Sequence, residues 1–82
     1  MNIKVGDYLI YRYYIHTNIK TGILAIRIME INGDYVYGET VVDTDSYEED
    51  RWNVGRVGKW THLDIERLWR KTTLDEIMVE VL

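Results

Sequence analysis

The chain is 82 residues long, 46% apolar and without cysteine, with a net charge of −4. That length allows one domain, the apolar content excludes a disordered chain, and the missing thiols exclude disulfides and thiolate metal sites. An acidic balance with an isoelectric point near 5.0 also argues against a dedicated nucleic-acid binder, whose charge is normally basic.

The first residues, Met1 to Asp7, hold no apolar stretch of signal-peptide length, and the longest aliphatic run, Ile23 to Ile26, is too short to cross a bilayer. A cytoplasmic protein is expected. Residues 5–15 (VGDYLIYRYYI) are rich in tyrosine and β-branched residues, which pack well on a pleated surface. Residues 22–31 (GILAIRIMEI) read as a second strand that is apolar on both sides. Leu24, Ile26 and Ile28 fall on one face, and Ile23, Ala25, Met29 and Ile31 on the other. A strand buried on both faces fits a small, strongly bent barrel better than an open sheet. Asn32-Gly33 then signals a tight hairpin, since both residues tolerate the positive φ of a type I′ turn. Ile31 is expected opposite Asp34, with residues 34–44 (DYVYGETVVDT) returning antiparallel.

After the polar, acidic stretch 43–50 (DTDSYEED), a shorter strand is expected across Trp52 to Trp60, with Gly55 and Gly58 permitting bends. Residues 61–72 carry two readings. Ile65, Leu68 and Trp69 have helical spacing, with Thr61 and Asp64 as a capping pair. Alternatively a tight turn at Ile65 to Leu68 precedes a last strand from Trp69 to Thr72. Thr73-Leu74-Asp75-Glu76 matches a capping box, and Leu74, Ile77, Met78 and Val81 follow on one helical face.

The Val5-Gly6-Asp7 entry, the long hairpin of residues 22–44, and the Gly58-Lys59-Trp60 strand leading into Leu63-Asp64-Ile65-Glu66-Arg67-Leu68 together resemble a small SH3-like barrel. The resemblance implies a mainly β single domain over 1–82: about five antiparallel strands through residue 72, then a short C-terminal helix over 73–82. The alternative is an α+β arrangement, an antiparallel sheet followed by two helices. Barrels of this kind commonly bind peptides, proteins or nucleic acid. The proline-peptide groove of signalling SH3 domains does not carry over, because none of that family's sequence blocks is present.

Charge is unevenly distributed: +3 over residues 1–29, −8 over 30–50, +4 over 51–71 and −3 over 72–82. The acidic stretch with its nearby aromatics, Asp43, Asp45, Tyr47, Glu48, Glu49, Asp50 and Trp52, is the candidate contact surface for a protein with a basic surface. Such a run also serves simply as a solvated loop. As a calcium loop it fails: with Asp43 and Asp45 at positions one and three, Tyr47, Glu48 and Val54 occupy positions that need a ligand, a glycine and a bidentate glutamate. Arg51, Trp52, Arg56, Lys59 and Trp60 interleave cations with aromatics, the pattern of a single-strand nucleic-acid groove. The bland reading of these rings, and of Tyr8, Tyr11, Tyr13 and Tyr14, is core and cross-strand packing in a chain without phenylalanine. Gly55-Arg56-Val57-Gly58 matches a KH-type GxxG only superficially, lacking its helical setting.

Nothing points to catalysis. His16 and His62 are isolated, Ser46 sits in the acidic stretch, and no glycine-rich phosphate loop is present. The expectation is a non-catalytic, cofactor-free and metal-free binding module, either a protein-binding or inhibitory accessory protein or a nucleic-acid-binding barrel. In size, acidity and lack of cysteine it resembles accessory proteins of phages or mobile elements, some of which block host enzymes.

Overall fold

Alternating apolar residues and tight turns produce one antiparallel sheet in a computed structural model that describes residues 2–15, 20–44 and 54–81. The elements are β1 (Tyr8–Ile15), β2 (Lys20–Asn32), β3 (Tyr35–Asp43), β4 (Val57–Thr61), α1 (His62–Leu68), β5 (Arg70–Thr72) and α2 (Leu74–Val81). The sheet order is β4-β3-β2-β1-β5. The domain is thus mainly β, five-stranded and antiparallel, as expected. It is not closed, because β4 and β5 stand at the two edges and do not pair. No helix among the described residues is long and apolar enough to cross a membrane.

The entry to β1 is a built turn. Gly6 adopts φ +95°, and its N–H donates to the Ile28 carbonyl at 2.8 Å. One Asp7 carboxylate oxygen accepts from the Lys4 backbone N–H at 2.9 Å and stands 3.3 Å from the Lys71 ammonium. Burial pushes this carboxyl up, but the Lys4 N–H and Lys71 outweigh it, so its pKa lies below the ordinary value. A carboxyl lowered in the folded state stabilises the fold above its unfolded pKa, and the contribution fades as pH falls through the folded one.

The β2–β3 hairpin forms one residue later than expected. Asn32 pairs with Tyr35, so the two-residue turn is Gly33-Asp34, with Gly33 at φ +59°. Packing decides the slip. In the observed register Ile31 lies opposite Val36, which is fully buried. A turn centred on Asn32-Gly33 would set Asp34 opposite Ile31 and carry a carboxylate onto the apolar face. Replacing Gly33 by valine is expected to cost about 1 kcal/mol or more in urea unfolding, since a β-branched residue is strained at positive φ. Asparagine there should cost less, because its short polar side chain tolerates that region.

Two bulges give the sheet its bend. Met29 on β2 and Val41 on β3 are each extra residues in the pairing. The first reverses the side-chain phase, so Ile31 joins Leu24, Ile26 and Ile28 on the inner face instead of opposing them. Val41 does the same for Val42, which turns to the outer face against Ala25. The inner core is Leu9, Ile26, Ile28, Val36, Ile65 and Trp69. Tyr11 of β1, Trp69 and Trp60 of β4 form a run of rings, with centroids 5.5 Å and 5.3 Å apart, that links β1 to the edge strand β4 through the residue preceding β5.

Each reading of residues 61–72 is half right. Thr61 caps α1, its hydroxyl accepting from the Asp64 N–H at 3.2 Å, and the chain then returns to strand as β5. Trp69, extended after α1, is the hinge between the two. Thr73 caps α2 as read, with the Glu76 N–H donating to the Thr73 hydroxyl at 3.2 Å, while the Glu76 carboxylate, the other half of a capping box, accepts from the Thr72 hydroxyl at 2.9 Å. Of the expected apolar face of α2, Ile77 is buried, whereas Leu74 and Met78 remain 43% and 50% exposed.

Candidate functional site

The outer face of the sheet is only partly covered. On it, strand alternation places Ile10 of β1, Ala25 of β2 and Val42 of β3 in one cross-strand row. Ile77 of α2 packs on this end, against Ile10, Ile23 and Ala25 with Tyr8 and Val42 alongside. Glu80, in the last turn of α2, pairs with Arg12 of β1 and lies 3.6 Å from Arg70 of β5. A helix places residues three apart on neighbouring sides, so with Ile77 down and Glu80 toward Arg12 and Arg70, Leu74 and Met78 occupy the flank away from Glu80. A cleft of about 140 Å³ between Ile10, Arg12, Leu68 and Arg70 is therefore bounded by two arginines that already have a carboxylate partner.

Beyond α2, none of the described residues packs over the outer face of β3 and β4. Tyr35, Tyr37 and Glu39 alternate outward along β3, opposite Thr61, Lys59 and Val57 of β4. Tyr35 and Val57 are exposed, at 42% and 57%, and Tyr37 is half-buried between neighbours. Arg27 of β2 lies 3.3 Å from the Glu39 carboxylate. The Lys59 ammonium sits 4.5 Å from the centre of the Tyr35 ring, on the diagonal of the ladder. The result is a mixed surface: two phenol rings and a valine, edged by a cation–π contact and an ion pair.

Residues singled out from the sequence fall in several places. Asp43 ends β3, half-buried, next to Thr44, whose hydroxyl accepts from the Ile23 N–H at 2.8 Å. Asp45, Tyr47, Glu48, Glu49, Asp50, Arg51 and Trp52 lie outside the described residues. So do Ser46 and His16, while His62 opens α1 with its N–H donating to the Asp34 carbonyl at 2.9 Å. Arg56 is exposed just before β4, and Lys59 projects from the outer face. Trp60 does not join them: it turns inward onto Trp69. A cation followed directly by an aromatic looks like a composite site in sequence, but on a strand adjacent residues point to opposite faces. The same alternation separates Tyr8, beside the outer cluster, from Tyr11, in the inner one. Gly58 is no bend either; it lies within β4, and its bare Cα makes room for the Trp60 ring.

Sequence reading missed Tyr35, Tyr37, Val57 and Arg27. The signal was present as Tyr-x-Tyr-x-Glu on β3, but its partner row on β4 depends on a register that only the completed sheet fixes. Among the described residues no three histidine, aspartate or glutamate side chains stand together in a way that would hold a metal ion. Comparison with protein-family models, curated proteins and solved structures finds no match to this chain.

Proposed function

We propose that this chain is a non-catalytic protein-binding module, an accessory or inhibitory protein whose contact surface is the open outer face of β3 and β4. The observation that carries the reading is the exposure of Tyr35, Val57 and Lys59 on one continuous sheet face that α2 leaves uncovered. Isolated exposed apolar residues are ordinary, but an aromatic and aliphatic group framed by charges is a feature of interaction sites. The acidic stretch 43–50, joining β3 to β4 in the chain, adds negative charge that suits a partner with a basic surface and speeds its encounter. The alternative of a nucleic-acid groove is weaker, because Trp60, its described stacking ring, is engaged in the core.

The test is affinity capture from cells of the protein's source, followed by affinity measurement with the captured protein. Changing Tyr35 and Val57 to serine together is expected to weaken binding by about thirtyfold or more, as loss of a central aromatic anchor does. Thermal unfolding of the double variant should be nearly unchanged, since both side chains are exposed. Undiminished binding by that variant, or tight salt-dependent binding of the unmodified chain to oligonucleotides, would overturn the proposal.

A further inference from the structure

Strand β4 ends the sheet, and among the described residues nothing pairs with its outer edge. Its hydrogen-bonding phase follows from two bonds. The Thr40 N–H donates to the Arg56 carbonyl at 2.8 Å, and the His62 N–H donates to the Asp34 carbonyl at 2.9 Å. Along an antiparallel ladder, directly bonded pairs recur at every second residue. Gly58 and Trp60, opposite Gly38 and Val36, therefore direct their N–H and C=O toward β3. The N–H and C=O of Val57 and Lys59, and the N–H of Thr61, point outward. The side chains of these same three residues stand on the open outer face.

A lysine on an edge strand ordinarily guards it against pairing. Here the Lys59 ammonium lies over the Tyr35 ring of the neighbouring strand, so the side chain leans back across the sheet and does not itself cover the edge backbone. Self-pairing is disfavoured all the same. Two β4 strands meeting antiparallel, with all three outward residues matched, would set Lys59 against Lys59 of the second copy, and like charges directly opposite repel. A carboxylate at that point is attracted instead, and an apolar residue two positions away lies against the exposed Val57.

We infer that the outer edge of β4 receives an extended polypeptide segment as an added strand, with a carboxylate opposite Lys59 and an apolar side chain opposite Val57. This rests on the protein-binding reading and names the partner element: main-chain hydrogen bonds give affinity, and alternate side chains give selectivity. The probe is a capped, soluble peptide of alternating threonine and valine with a central glutamate, compared with the same peptide carrying a central lysine. With the intact isotope-labelled chain, the glutamate peptide should slow amide exchange at Val57, Lys59 and Thr61 and leave Gly58 and Trp60 as they were. It should bind about fivefold more tightly than the lysine peptide, from the exchange of an opposite for a like charge across the pair. Lys59→Glu should invert that preference. Equal affinity for the two peptides, or protection without the alternation, overturns strand addition. So does binding of neither peptide, and if the Tyr35 and Val57 variant still loses its captured partner, the open face stands as the contact surface while the edge pairing falls.

Discussion

Replacing Trp69 with alanine is expected to cost about 3–5 kcal/mol, as removal of a buried indole does. In a domain of this size that is comparable with the whole net stability, so the variant should be largely unfolded at 25 °C. The reason is position as much as volume. Trp69 is 6% exposed, stands directly before the edge strand β5, and touches Tyr11 of β1 at 5.5 Å and Trp60 of the other edge strand, β4, at 5.3 Å, the second edge-on at 67°. Ile65, fully buried one turn earlier, shares the same core. Where a closed barrel would join its edge strands by hydrogen bonds, this domain joins them through side-chain packing. Urea unfolding checks the point, and Trp69→Phe, which keeps an aromatic ring in the gap, should recover part of the loss. A cost below about 1 kcal/mol for Trp69→Ala would show that the rings do not hold the edges together.

Local chemistry carried much of this fold. Tyrosine and β-branched runs became β1, β2 and β3, and the Thr73-x-x-Glu76 box became the first turn of α2, because each signal acts within a few residues. What was not legible depends on pairing. The turn moved to Gly33-Asp34 because Val36 had to face Ile31, and Met29 became a bulge that only the opposite strand defines. The sheet stays open, with β4 and β5 at opposite edges and α1 as the chain between them, a tertiary fact that no period in the sequence encodes. The candidate surface fared similarly. Cations and aromatics adjacent in the chain separate onto two faces once β4 is a strand, and the residues that do share a face come from β2, β3 and β4 together.

Gly38→Ala is expected to cost about 1–3 kcal/mol, the usual range for overpacking a core, with the cost coming from Ile26 rather than from the backbone. Gly38 and Gly58 lie directly opposite each other on β3 and β4, both turned to the inner face. Their missing side chains leave a trough, filled by Ile26 from β2 and by the Trp60 ring from β4 itself. A Cβ on Gly38 would stand 2.6 Å from Ile26 Cδ1, 3.1 Å from its Cβ and 3.2 Å from its Cγ1. The Cδ1 contact is relieved by rotation, but the Cβ is fixed to the β2 backbone and fully buried, so the strands themselves must shift. The double-mutant cycle isolates this cause. Ile26→Ala alone should cost about 2–5 kcal/mol by opening a cavity. Combined with Gly38→Ala, the added methyl enters space that Ile26 has vacated, and the pair should cost less than the sum by about 1 kcal/mol or more. Strict additivity would place the need for glycine in the backbone of β3 instead. Gly58→Ala offers an independent check, since its Cβ would lie 2.9 Å from Cζ2 and Cζ3 of Trp60 and must dislodge that ring from Trp69. Loss of the near-ultraviolet dichroism of the paired indoles, alongside a lower unfolding midpoint, is the signature expected of it.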